Sequence, residues 1–235
     1  MTNLESESQC LECDPGKYCT GGSDTTTGDC DPGYSCPRGS SQKDPPGAFS
    51  FSPLTGGVCP TGHYCETGNQ LPTQCPQGKY NDETGKTSDA GCKDCPAGYY
   101  CDELGLVTHT KQCAAGYYCI SGSQVPKPTD GVKGRACSKG HFCVAGTTTE
   151  TQCLGGTYEP RTGSSACQQC PAGYFCSVGA IKPTPCTAKY YCPPNSENPT
   201  FCPPGSYSNT VGLEQASQCT PCTTGNYCDQ GEIKG

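Results

Sequence analysis

Large apolar side chains in this sequence do not form long runs; they recur with the cysteines. The recurring frame is C-x-x-G-x-[YF]-C, in which an aromatic ring stands directly before a closing cysteine. It reads Cys13-Asp-Pro-Gly-Lys-Tyr-Cys19, Cys59-Pro-Thr-Gly-His-Tyr-Cys65, Cys95-Pro-Ala-Gly-Tyr-Tyr-Cys101 and Cys170-Pro-Ala-Gly-Tyr-Phe-Cys176. Weaker copies open at Cys30, Cys113, Cys137, Cys186 and Cys222. Copies opening at Cys75, Cys153 and Cys202 keep glycine and tyrosine but lose the closing cysteine. A turn former after the first cysteine and a glycine three residues after it predict a tight turn. A short strand of three or four residues, such as Gly98 to Cys101, is all that fits beyond it. The aromatic beside the closing cysteine is expected to cover a disulfide in place of a core. Tyr100, Tyr118, Phe142, Phe175 and Tyr191 are therefore expected to be substantially buried. Lys189 takes the glycine position of one copy and Ser35 the aromatic position of another, which predicts two looser modules.

Most copies start 16 to 20 residues apart, and that quasi-period marks a repeat array. Two cysteine-free insertions, 37–58 and 120–136, sit at the same place in successive larger units. The chain is divided accordingly into a first unit, 1–74, a second, 75–152, a third, 153–201, and a partial fourth, 202–235. The predicted fold is small and disulfide-rich: an elongated array of short β-turn and β-hairpin modules, with almost no helix and no conventional hydrophobic core. Modules that contact only their neighbours build a rod.

Composition supports this picture. The chain has 25 cysteines in 235 residues, a density typical of disulfide scaffolds. Leu, Ile, Val and Phe together number only 23, and tryptophan is absent. Burial at roughly 25 cal/mol per Å² cannot offset chain entropy with so few large aliphatic groups. Cross-links worth about 2–4 kcal/mol each are needed. Disulfides at this density persist outside the reducing cytosol, so the protein is expected to be extracellular or at a cell surface. Met1-Thr-Asn-Leu-Glu has no basic or apolar leader character, and no stretch is apolar and long enough to span a bilayer. The chain reads as a mature segment or a piece of something larger, with no direct membrane insertion. A formal charge of −7 argues against a nucleic-acid partner.

The order Cys75, Cys92, Cys95, Cys101, Cys113, Cys119, and again Cys153, Cys167, Cys170, Cys176, Cys186, Cys192, resembles the cysteine-rich domains of tumour-necrosis-factor receptors. That resemblance implies bonding of first to second, third to fifth and fourth to sixth. It gives Cys75–Cys92, Cys95–Cys113, Cys101–Cys119, Cys153–Cys167, Cys170–Cys186 and Cys176–Cys192. By the same pattern Cys13 pairs with Cys30, Cys19 with Cys36, and Cys202 with Cys219. Cys59–Cys65 and Cys137–Cys143 then close locally. In this frame Cys10 needs an upstream partner, and Cys222 and Cys228 need downstream ones. The segments CPQGKYNDETGKTSDAGCKDCPAGYYC, CLGGTYEPRTGSSACQQCPAGYFC and CPPGSYSNTVGLEQASQCTPCTTGNYC are similar to the ephrin-receptor-like cysteine-rich repeat. Such repeats occur in receptor ectodomains. Long arrays of them occur in large surface proteins of ciliates, algae and other protists, including flagellar-hair (mastigoneme) proteins.

No arrangement points to catalysis, and no cofactor is expected. The C-x-x-C pairs Cys10/Cys13, Cys92/Cys95, Cys167/Cys170 and Cys219/Cys222 have zinc or redox spacing, but all fall in phase with the repeat and read as junctions between disulfides. His63 and His141 occupy a variable site that also holds Lys17, Tyr99 and Asn226; His109 lies in a polar loop. The acidic pairs Asp29/Asp31 and Asp82/Glu83 match no calcium-loop motif and read as solvated charge. Covalent glycan is the expected modification. Thr25, Thr26, Thr27, Thr147, Thr148 and Thr149 are candidate O-glycosylation sites by composition. Pro45-Pro46, Pro193-Pro194 and Pro203-Pro204 could carry hydroxyproline sugars in an algal or plant protein. Asn198-Pro-Thr is blocked by its proline, and there is no other N-glycosylation sequence.

The sequence reads as a structural extracellular protein, a rod-like subunit of a surface filament, coat or flagellar appendage that self-associates into a fibre. The alternatives are a receptor-type ectodomain that binds a protein ligand, and an adhesin that recognises glycans. In the longest insertion, Phe49 and Phe51 fall on one side of an extended segment and, with Leu54 and Val58, form a candidate interface. Val125 and Val132 hold the matching place in the second insertion. The competing possibility is that the insertion folds back over its own module.

Overall fold

The computed structural model describes residues 12–21 and 25–234. It is a series of twelve two-stranded antiparallel sheets stapled by twelve disulfides. Helix is limited to the 3-10 turns Asp89–Gly91 and Ala216–Gln218 among the described residues. The chain forms two compact units, Met1–Lys111 with Ser121–Val125, and Gln112–Ile120 with Pro126–Gly235.

One construction serves nearly every hairpin. The first strand starts directly after the frame glycine and carries the aromatic; the second ends directly before the next opening cysteine. Lys17–Tyr18 thus pairs with Gly28–Asp29, His63–Tyr64 with Thr73–Gln74, and Tyr174–Phe175 with Thr184–Pro185. The glycine permits this because the turn demands a left-handed residue: φ is +81° at Gly16 and +79° at Gly173. Strands are only two or three residues long. Gly98 to Cys101, expected as a strand, is not one; the Tyr100 N–H instead donates to the Lys111 carbonyl at 3.0 Å.

The disulfides are local, and this corrects the bonding taken from the receptor resemblance. The bonds are Cys13–Cys19, Cys30–Cys36, Cys95–Cys101, Cys113–Cys119, Cys170–Cys176 and Cys186–Cys192. They replace Cys13–Cys30, Cys19–Cys36, Cys95–Cys113, Cys101–Cys119, Cys170–Cys186 and Cys176–Cys192. Cys222 and Cys228 need no downstream partner, since they bond each other. The reason is the turn. It brings cysteines six residues apart to Cα separations near 5.9 Å, as at Cys95–Cys101 and Cys170–Cys176, inside the bridging range. Cys59–Cys65 and Cys137–Cys143 close in the same way. Where the closing cysteine is missing, the opening one bonds a more distant partner: Cys75–Cys92, Cys153–Cys167 and Cys202–Cys219. Cys10 lies outside the described residues.

Neighbouring modules within each unit are joined by a repeating backbone ladder. In the first unit Gly16 N–H donates to Cys36 O at 2.8 Å and Gly16 O accepts from Cys30 N–H at 2.9 Å. Cys19 N–H donates to Ser40 O at 3.0 Å, and Cys13 O accepts from Gly39 N–H at 2.9 Å. In the second unit the same four bonds run between Gly173 and Cys192, Cys186 and Gly173, Cys176 and Ser196, and Asn195 and Cys170. Contact also skips one module. A methyl group at Gly33 would meet the Gly85 carbonyl oxygen at 2.8 Å, and one at Gly173 would meet that of Gly212 at 2.7 Å. The frame glycine is thus required twice, once by its φ and once by the turn lying against it.

Lys189 adopts the glycine conformation, with φ +78°, and makes the glycine bonds to Ser208 O and from Cys202 N–H. Ser35, in the aromatic position, is fully buried and donates to Gln70 O at 2.7 Å. The core is mostly sulfur: among the described residues the buried apolar side chains are nearly all cysteines, joined by Phe49 and the fully buried Pro128. Tyr100, Tyr118, Phe142, Phe175 and Tyr191, each next to a bonded cysteine in the chain, are half-buried rather than fully covered.

Candidate functional site

The first insertion forms the most distinctive surface of the first unit. Its strands Ser50–Phe51 and Leu54–Thr55 pair tightly around Ser52 and Pro53, placing Phe51 directly opposite Leu54. Both face water, at 59% and 50% exposure. The Phe51 ring meets Phe49 edge-on, with centroids 4.8 Å apart, so the alternation does bring the two rings together. Phe49 itself is 8% exposed, and Val58 is half-buried. The insertion has folded back over its own module. Val58 pairs with Tyr34, and its N–H donates to Gly47 O at 2.9 Å. Gly57 makes this possible, since a side chain there would strike the Phe49 backbone nitrogen at 2.5 Å. The free apolar surface is therefore Phe51 with Leu54, not the four-residue set. Leu54 also borders a shallow, open cavity of about 380 Å³ with Pro37, Arg38, Pro45 and Pro46 on its walls. In the second insertion Val125 and Val132 are exposed, and Asp130 holds the turn by accepting from Val132 and Lys133 N–H at 2.9 and 2.8 Å.

A second group of residues was not singled out by the sequence. Asn81, Glu159 and Ser208 stand six residues after Cys75, Cys153 and Cys202, where the other modules have the closing cysteine. All three are buried. Their carbonyls accept from Gly62, Gly140 and Lys189 N–H, the bond that the closing cysteine makes elsewhere. Their side chains accept from the backbone two residues ahead: Asn81 Oδ1 from Glu83, Glu159 Oε1 from Arg161, and Ser208 Oγ from Thr210. Such a side-chain turn satisfies the backbone locally and redirects the chain toward the distant cysteine. Asn81 Nδ2 also donates to His63 O at 2.8 Å. The glutamate lacks that donor, and its Oε2 has no hydrogen-bond partner. Burial pushes the Glu159 carboxyl up, but the Arg161 side chain at 3.1 Å and the Arg161 N–H outweigh it and hold the carboxyl below its ordinary value. The signal in the sequence was a small or polar residue at the vacated cysteine position.

The remaining flagged residues are structural in their contacts. Asp29 and Asp31 pair with Lys17 and Lys43 at 2.7 and 2.9 Å. Asp82 and Glu83 share Lys93, and Glu83 also pairs with Lys86. Hydrogen bonds from Lys86 and Lys93 hold the Glu83 carboxyl down to about 2. His63 and His141 bond the carbonyls of Thr61 and Lys139 at 3.0 and 3.1 Å. The His109 ring lies between Tyr80 and Tyr99, with centroids 4.8 and 5.1 Å away. In Cys92/Cys95, Cys167/Cys170 and Cys219/Cys222 the two intervening residues are the second strand of a hairpin, which explains why the pairs keep phase. Among the described residues no group of three or more His, Cys, Asp or Glu is placed to hold a metal ion. Thr25, Thr26, Thr27, Thr148 and Thr149 are exposed, and Thr147 is half-buried. Among the described residues no helix is long and apolar enough to cross a membrane. The many disulfides suggest an oxidising, extracellular or secreted setting. No protein-family model matches this chain, and no curated protein is significantly similar to it.

Proposed function

We propose that this is a structural extracellular protein that builds a filament, coat or flagellar appendage. The carrying observation is the repetition of one backbone ladder from module to module, in which cysteines make up most of the buried side chains. Such a design devotes its sequence to continuity of the backbone and presents its variable residues outward. The likeness to ephrin-receptor-like arrays of protist surface and flagellar-hair proteins supports the same reading. Local bonding of successive cysteines is a departure from the tumour-necrosis-factor-receptor arrangement. Phe51 and Leu54 supply an apolar lateral contact to a second copy.

Electron microscopy of the purified protein tests this reading, together with its concentration-dependent sedimentation. Fibres or sheets are expected from the unmutated chain. Phe51→Ser with Leu54→Ser is expected to weaken lateral association while leaving the fold intact, since both side chains face water. A chain that stays monomeric at every concentration overturns the structural reading and favours a receptor-type ectodomain.

A further inference from the structure

We propose that the chain is an extensible tether whose stretch is limited by its own disulfides. Every described disulfide closes within one module. The linked residues are 6 apart at Cys95–Cys101 and Cys170–Cys176, and at most 17 apart at Cys75–Cys92 and Cys202–Cys219. No described disulfide joins one module to the next. Cohesion between modules comes from the backbone ladder and the close approach of turns to the frame glycines.

Load applied along such a chain divides cleanly. Hydrogen bonds, each worth about 1 kcal/mol net, separate first. The covalent loops stay shut and carry the force across their sulfurs. Each loop then adds only its Cα separation, 5.9 Å at Cys95–Cys101, and the residues between loops extend fully. Between Cys13 and Cys228 this gives about 450 Å, taking ~3.4 Å per extended residue, against about 730 Å with all disulfides reduced. Crossed bonding at Cys13/Cys30 and Cys19/Cys36, Cys95/Cys113 and Cys101/Cys119, and Cys170/Cys186 and Cys176/Cys192 would stop the extension at about 390 Å on the same scale. The closed loops also keep much of the chain's order in the extended state. Less loop-closure entropy then opposes return when the load is released.

Single-molecule pulling on the whole chain, held at its two ends, tests the proposal. The oxidised chain is expected to lengthen to about 450 Å between Cys13 and Cys228, and to recover its starting length through repeated cycles. Dithiothreitol is expected to add about 280 Å and to abolish rapid recovery. Arrest at about 390 Å in the oxidised chain, or equal length and recovery with and without reductant, overturns it. The inference goes beyond the assembly reading and does not require self-association. A chain that stretches in this way but never forms fibres removes the filament and leaves the tether standing.

Discussion

Gly173 and Gly39 both have φ near +80°, yet their surroundings differ. A methyl group at Gly173 would sit 2.7 Å from the Gly212 carbonyl oxygen, whereas one at Gly39 would meet nothing within 4 Å. Gly39→Ala should therefore cost about 1–2 kcal/mol, the price of a left-handed alanine alone. Gly173→Ala adds overpacking against rigid backbone and should cost roughly 2–4 kcal/mol. Urea unfolding of the two variants measures the difference, and equal shifts would deny the contact across modules. The frame glycine was legible as a turn residue from its place after each opening cysteine. Its second duty was not, because the turn that touches it belongs to a module two frames later in the chain.

At the scale of the element, each hairpin leans on a disulfide or on its substitute. Phe175 is half-buried, so Phe175→Ala should cost about 1.5–2.5 kcal/mol, below the 3–5 kcal/mol of a fully buried ring. A thermal melt unchanged by that substitution would show that the ring contributes nothing to its hairpin. Glu159 gives a test by pH. Its carboxyl is held below the ordinary value of about 4.3, so it stabilises the fold above that value. The contribution is lost as pH falls through the lowered value of the folded state. Glu159→Gln should therefore flatten the decline of stability below about pH 4.3. A decline as steep as in the parent protein would assign the acid sensitivity to other carboxylates. The exposed carboxylates of Asp82 and Glu83 and the half-buried one of Asp102 are held low as well, by surface lysines, where ion pairs contribute little. The cysteine-to-polar exchange at Asn81, Glu159 and Ser208 escaped sequence reading because polar residues near turns ordinarily face solvent. Burial came from the neighbouring modules.

For the whole molecule, local bonding has a direct chemical consequence. A single cut between Cys101 and Cys113, for example after the exposed Leu104, should release two fragments on a denaturing gel without reductant. Fragments that part only after reduction would restore the crossed Cys95–Cys113 and Cys101–Cys119 bonds. The cysteine phase, the hairpin modules, the scarcity of helix and the lack of an ordinary core were all present in the amino-acid sequence. They follow from spacing, glycine placement and composition, which act over a few residues. Spacing left the bonding open, since a cysteine flanked by partners on both sides in sequence can satisfy either pattern. The fold settled it by turning each frame back on itself until its own two cysteines met. It likewise decided that Phe49 is covered while Phe51 and Leu54 stay open, because that outcome depends on where the insertion's backbone docks. Local chemistry determined what each module is; contacts between residues distant in the chain decided which of its groups remain free.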